Sequence, residues 1–408
     1  MMNIFEIIEK YFCCPTCKGT LRITRINRSA DGLLQCVECQ HRYFVLDNIP
    51  VMLPYGYVET DIKQQFLSRY PHYRGLFDDI PTTADDPVKR HQISTWGTQY
   101  KHVTSGSEVQ RTIPQTTDVT LINPLYKNSR ELLRSIVSRK TASHNNEAFL
   151  DIGCGRGTFT HLGNQHFQLY FGMDISFDAI AKNLRTLPFK NCIFFVGDAE
   201  DIPLRNSSVD VCAAQWLFEH LGNPSRCARE MFRVLASNGV AYVDTNHKAF
   251  MLTYRWFQLV FSPEQYWGRM EQAGHCHDRF FSRNGIHNIF EQAGFKRIRT
   301  KLCYFMLDML IFYKVYDAVL RWIRRFSAMS IKGHVEVSMK NKSVVGLVDF
   351  DRKEDFARAV GSTRSLLKKA FNGIVLVMYY CLFVDRLLEL CGKGESVILL
   401  AEKINKRC

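Results

Sequence analysis

The sequence predicts an α/β fold built on a mainly parallel sheet, and three observations carry that reading. The apolar run Phe149-Leu150-Asp151-Ile152 enters a turn, Gly153-Cys154-Gly155-Arg156-Gly157, with glycine at alternate positions. Further strand-like runs follow at 170–175, 192–196, 208–215 and 240–245, interleaved with helical patterns. The second and third strand-like runs lead into carboxylates, Asp174 and Asp198, which suits strand tips that face a shared ligand.

Each element has its own reason. Glycines at 153, 155 and 157 let the backbone bend sharply and approach a ligand that a Cβ would block, and a helix can start near Thr158. Dinucleotide-binding folds use a similar turn with G-x-G-x-x-G spacing. Here the pattern is D-x-G-x-G-x-G. Asp151 at its start would repel a pyrophosphate and suits a cationic ligand. Asp174 can accept hydrogen bonds from both hydroxyls of a ribose, and Asp198 stands where it meets an adenine amino group. Glu219-His220-Leu221 lies on the exit of the fourth strand, ending at Gln215. An amphipathic helix spans 226–235, and Ser237-Asn238-Gly239 turns into the fifth strand.

With these residues in place, 149–245 resembles the class I S-adenosylmethionine-dependent methyltransferases. The match is to the broad type-11-like subfamily, with its Glu-His-Leu exit loop and its Arg-Val-Leu…Gly helix-to-strand junction, here Arg233-Val234-Leu235 and Gly239. That subfamily typically has two glycines where this chain has Asn238-Gly239. The resemblance implies a Rossmann-like, seven-stranded sheet and S-adenosyl-L-methionine as cofactor. It implies cofactor contacts from Asp151, Gly153, Gly155, Gly157, Asp174, Ile175, Asp198, Ala199 and Gln215. The other reading of these residues is a related domain that binds a different nucleotide or has lost activity.

A second motif stands at the N-terminus. Cys14-Pro15-Thr16-Cys17 and Cys36-Val37-Glu38-Cys39 form two C-x-x-C knuckles, with a hairpin signal at Asp31-Gly32 between them. Two such knuckles can supply four thiolates to a tetrahedral, structural zinc. Cys13 is adjacent, but the C-P-x-C spacing favours Cys14. So small a unit buries little apolar surface, and metal binding would supply on the order of 10 kcal/mol of its apparent folding free energy. Residues 4–54, above all 43–53, are similar to the small zinc-ribbon protein that activates tRNA, rRNA and translation-factor methyltransferases as a separate subunit. The resemblance implies a ribbon fused in cis that packs on the methyltransferase sheet and stabilises it. A nucleic-acid-binding ribbon is the alternative.

The 408 residues suggest several units, with a zinc ribbon at 1–54, a linker and lid at 55–123, a methyltransferase core at 124–302, a helical insertion at 303–394 and a last strand at 395–408. The net charge of +13 favours polyanions, either nucleic acid or anionic lipid. Fourteen cysteines in an α/β pattern, with no signal-peptide pattern at the N-terminus, fit a reducing cytoplasm better than a disulfide scaffold. The insertion holds two apolar stretches, near 303–322 and 371–390, interrupted by charge. Two readings of them stay open: interfacial helices in peripheral contact with a membrane, or a helical cap on the catalytic domain.

Methyl transfer needs alignment and exclusion of water. A hydroxyl acceptor also needs a base, for which His220 is the candidate, although the Glu-His pair can equally be structural. The leading expectation is transfer to an apolar or lipid-linked small acceptor at oxygen. RNA methylation is the second reading, disfavoured by the dispersed basic residues and the lack of a stacking platform. A non-catalytic binding partner is the third. The oligomeric state is not legible.

Overall fold

The computed structural model describes residues 3–26, 30–78, 87, 89–91, 93–95, 133–137, 147–155, 157–187, 189–248, 259–260, 263–264, 280–303 and 396–404. Among these, the N-terminal strands are β1 (Leu21–Arg25), β2 (Gly32–Cys36), β3 (Arg42–Leu46) and β4 (Ile49–Val51). The central strands are β5 (Ala148–Ile152), β6 (Leu169–Asp174), β7 (Cys192–Val196), β8 (Val209–Gln215) and β9 (Leu235–Asn246). A terminal hairpin, β10 (Lys296–Cys303) and β11 (Ser396–Glu402), completes the set. All eleven join one sheet in the order β1-β2-β3-β4-β7-β6-β5-β8-β9-β11-β10.

The centre of the sheet is parallel: β6, β7 and β8 extend it from β5, and β9 follows β8. Its strands β5, β6 and β7 are buried along their whole length, as parallel strands covered on both faces should be. One face packs α1 (Ile4–Tyr11), α6 (Pro224–Val234) and α7 (Arg283–Gln292) through Ile8, Met231 and Phe290. The other packs α2 (Thr60–Arg69) and α5 (Phe177–Thr186) through Phe66 and Ile180. The short helices α3 (Gly75–Asp78) and α4 (Thr160–His166) complete the helical set used below.

The sequence predicts seven strands in the core and a ribbon domain packed on that sheet; the observed sheet is continuous through both. Val51 of β4 pairs with Val196 of β7 in parallel, and the Met52 N–H donates to the Val196 carbonyl at 2.9 Å. Without β4 this side of β7 would be an open edge with unpaired backbone groups. The stretch 55–123, anticipated as linker and lid, divides. Residues 55–78 pack on the ribbon strands, where Phe66 stacks on Phe44 with centroids 4.5 Å apart. Residues 96–123 lie outside the described residues, and so do 304–395, which include both apolar stretches of the anticipated insertion. Its two ends meet: Cys303 and Ser396 are register partners, and Ser396 also pairs with Asn246 at the carboxyl end of β9.

The fifth strand begins earlier than anticipated. Leu235 already pairs with Val209, and the register shifts before Val211 pairs with Val240. The anticipated turn is thus a bulge inside β9. Asn238 sits there in the left-handed region at φ 63°, donating its N–H to the Lys403 carbonyl at 2.7 Å. Asparagine tolerates that conformation where most side chains do not. Replacing Asn238 with Gly is expected to leave thermal stability unchanged or slightly higher. Asn238→Val is expected to cost about 1–2 kcal/mol, read as a lowered midpoint in thermal melts.

Candidate active site

The glycine turn takes its shape from positive φ at Gly153 (69°), Gly155 (47°) and Gly157 (75°). A Cβ on Gly157 would stand 2.6 Å from Leu187 and 2.7 Å from the Thr160 hydroxyl. The turn is stitched to its neighbours. The Cys154 N–H donates to the Met173 carbonyl at 2.9 Å. The Gly155 N–H donates to Asp174 Oδ2 at 2.9 Å, and Asn183 Nδ2 of α5 donates to the Gly155 carbonyl at 2.8 Å.

Three carboxylates belong to three adjacent parallel strands or their exits. Asp174 closes β6, and its Oδ1 accepts the Ser176 N–H at 3.0 Å. Burial pushes its pKa up, while the backbone donors Ser176, Gly155 and Ile175 pull it down. Each oxygen keeps a second lone pair, so the carboxylate can still receive hydroxyl donors. Ile175, half-buried, packs against the core beside it. Asp151, on β5, is 2% exposed. It accepts the Tyr170 hydroxyl at 2.7 Å, and that hydroxyl in turn receives Thr160 Oγ1 at 3.1 Å. Asp198 follows β7 and is tied to Asp174 through the Gly197 N–H, which donates to the Asp174 carbonyl at 2.9 Å. Its Oδ1 accepts the Glu200 N–H at 2.9 Å, and its Oδ2 is ion-paired with Lys89. Ala199 is buried next to it.

Gln215 ends β8 and donates from Nε2 to Asp244 Oδ2 of β9 at 3.4 Å. His220 is buried in a single 3-10 turn, Phe218–His220, beyond β8. Its neighbour Glu219 is wholly buried and accepts the Thr245 hydroxyl at 2.7 Å, so that half of the Glu-His pair braces β9. Lys89, Tyr170 and Asn183 contact the candidate residues Asp198, Asp151 and Gly155 and were not singled out from the sequence. Only Tyr170 carried any local signal, as an aromatic residue within a strand-like run.

In the ribbon the Sγ atoms of Cys14, Cys17, Cys36 and Cys39 all lie within 4.8 Å of one another. Cys14 and Cys39 approach to 3.5 Å, and Cys17 and Cys36 to 3.4 Å. Four thiolates around one zinc with bonds of 2.3 Å stand about 3.8 Å apart, so these side chains fit a tetrahedral ion. Cys13 points elsewhere, its thiol donating to the Leu204 carbonyl at 3.2 Å. Lys18, next to Cys17, reaches the core, where its ammonium meets Glu230 at 2.8 Å and Asp201 at 3.8 Å. Arg233 of α6 anchors the same loop, donating to the carbonyls of Ile202 and Leu204. Among the described residues no helix is long and apolar enough to cross a membrane.

Residues 150–243 match a family model described as a methyltransferase domain. A probable S-adenosylmethionine-dependent methyltransferase of Mycolicibacterium smegmatis is 27% identical over 147 residues, which cover 36% of this chain and 51% of that protein. One from Mycobacterium tuberculosis is 25% identical over 186 residues, covering 46% of this chain and 60% of that protein. The chain therefore spans only 51% to 60% of the length of these relatives. Among solved structures, a phosphoethanolamine N-methyltransferase 2 of Haemonchus contortus in complex with S-adenosyl-L-methionine is similar over 64% of this chain and 49% of its own, at 15% identity and a TM-score of 0.36. Over residues 150–243 the chain is thus similar to methyltransferase domains.

Burial holds the Asp151 carboxyl near a pKa of about 7, well above its ordinary 3.8; the Tyr170 hydrogen bond opposes the rise and the nearby Asp174 charge adds to it. A raised folded-state pKa favours the protonated form. The stability it contributes is complete below the unfolded value and is lost as pH rises through 7. Asp151→Asn, which cannot ionise, is expected to stabilise the ligand-free protein at pH 8 by on the order of 2–4 kcal/mol. The gain should shrink as pH falls toward 5, as thermal melts across that range would show.

Proposed function

We propose that the chain transfers the methyl group of S-adenosyl-L-methionine to a small acceptor. The observation that carries this reading is the Gly155 N–H to Asp174 bond, which draws a glycine turn and a strand-tip carboxylate together at the carboxyl ends of β5 and β6. When bound, S-adenosyl-L-methionine supplies a methyl group on a cationic sulfur, open to in-line displacement. Asp174 would hold the ribose hydroxyls, with Ile175 beside them. Asp198 would accept the adenine amino group next to Ala199. Gly153, Gly155 and Gly157 would admit the methionine portion close to the backbone. The positive amino group would draw Asp151 into its charged form and be held by it, directly or through the turn, and Gln215 would border the site from β8.

For the acceptor we favour an apolar or lipid-linked molecule methylated at oxygen. His220, beyond β8, would then receive the acceptor proton as the carbon–oxygen bond forms and the carbon–sulfur bond breaks. Support for an apolar acceptor comes from the composition of the insertion at 303–394 and from its point of attachment. Its flanks, Cys303 and Ser396, pair beside Asn246, at the carboxyl ends of strands where open α/β sheets bind ligands. A cap or a peripheral membrane contact would both bring apolar side chains to that end.

We assign zinc to Cys14, Cys17, Cys36 and Cys39 in a structural role, since four thiolates leave no open position. The ribbon would then stabilise the core through β4, Lys18 and the 198–205 loop.

Calorimetric titration is expected to show S-adenosylmethionine binding by folded, zinc-loaded protein; an absence of binding would remove the enzyme reading. Stripping the zinc with a chelator should lower the midpoint of the methyltransferase core as well as that of the ribbon. An unchanged core midpoint would show the ribbon to be an independent module. Co-sedimentation with anionic liposomes at low salt would support membrane contact, and failure to co-sediment would leave the cap.

A further inference from the structure

The ion pair between Lys89 and Asp198 has no role in the binding scheme above. Asp198 has two oxygens in a nearly closed setting. Oδ1 takes the Glu200 N–H, and Oδ2 takes the Lys89 ammonium. The Asp198 side chain is 8% exposed and that of Lys89 14%. An adenine site standing open would leave one of these oxygens to water. Here an ammonium covers it.

Lys89 comes from outside the methyltransferase domain, from helical residues that precede it. It is held from a second side by Tyr57, whose ring centroid lies 5.5 Å from Nζ, and Arg90 stands 5.5 Å from the same ring. Tyr57 is buried in the 3-10 turn Tyr55–Tyr57 that follows the ribbon. Burial by itself would lower the Lys89 pKa, but the charges of Asp198, Glu200 and Asp201 carry it above the ordinary value. The side chain at the carboxylate is therefore a full cation. A charged donor makes the stronger hydrogen bond to a carboxylate than a neutral amino group does, and both need the same narrow approach.

We infer that Lys89 is a built-in competitor for the adenine subsite, seated on Asp198 while the site is empty and displaced when an adenine nucleoside docks. This rests on the reading of Asp198 as the acceptor for the adenine amino group. Cofactor affinity is then reduced by the fraction of molecules in which the lysine is away. If the pair is closed about nine-tenths of the time, the apparent affinity falls about tenfold. Cofactor entry is thereby linked to the residues between the ribbon and the core.

The test uses full-length, zinc-loaded protein and S-adenosylhomocysteine as the probe. Lys89→Met is expected to bind it about tenfold more tightly than the unsubstituted protein, read by calorimetry. Equal or weaker binding would overturn the inference. A second measurement needs no variant. Acetylation by an amine-reactive ester, followed by peptide mass spectrometry and normalised to the exposed Lys10, should be slow at Lys89 in free protein. It should accelerate when S-adenosylhomocysteine is saturating. An unchanged or slower rate would overturn the inference even if Lys89→Met fails to fold. Asp198→Ala added to Lys89→Met separates the two layers: if the double variant binds the probe as tightly as Lys89→Met alone, the assignment of Asp198 itself is wrong.

Discussion

A single hydrogen bond fixes the candidate site, the one from the Gly155 N–H to the Asp174 carboxylate. It joins a turn that leaves β5 to the tip of β6, two strands already paired in parallel. The turn can present that N–H only because its glycines occupy the left-handed region, where an L side chain costs about 1–2 kcal/mol. The carboxylate, in turn, stays close to the turn because the Ser176 N–H holds its other oxygen. Polar groups buried this deeply need such partners. The arrangement of turn and carboxylate therefore inherits its geometry from backbone donors, which move less than side chains do.

The continuous sheet carries the same logic outward. β7 leads to Asp198, and β7 is the strand that the ribbon covers. The loop after β7 is held from the ribbon by Lys18, through Asp201, and by the Cys13 N–H, which donates to the Pro203 carbonyl at 3.0 Å. From the core side Arg226 and Arg233 hold it. Glu230 is buried and Asp201 half-buried, so these pairs are screened less than fully exposed ones. Disorder in the ribbon would loosen the very loop that carries Asp198.

Much of this was legible in the sequence because it depends on local chemistry. Alternate glycines demand positive φ, and Asp174 ends an apolar run, so the turn and its partner could be named without coordinates. The two C-x-x-C knuckles likewise select four cysteines by spacing, and Cys13 is excluded by the same rule. What was hidden depends on registers between distant segments. Nothing local to Val51 says that it pairs with Val196, so a ribbon packed on the core sheet was legible and a single continuous sheet was not. Tyr170 reaches Asp151 only because β5 and β6 align as they do. Lys89 sits in a stretch with no periodic pattern, and its partner lies far along the chain. Asn238 is the opposite case: an unusual residue at a glycine position, which the left-handed bulge explains.

The most direct test of the shared cleft is the affinity of Asp174→Ala for S-adenosylhomocysteine, measured on protein shown to be folded and zinc-loaded. Two hydrogen bonds to a charged carboxylate are at stake, and binding should weaken on the order of 100-fold. Affinity equal to that of the unsubstituted protein would mean that the ribose lies elsewhere, and that the turn and its carboxylate serve only the fold.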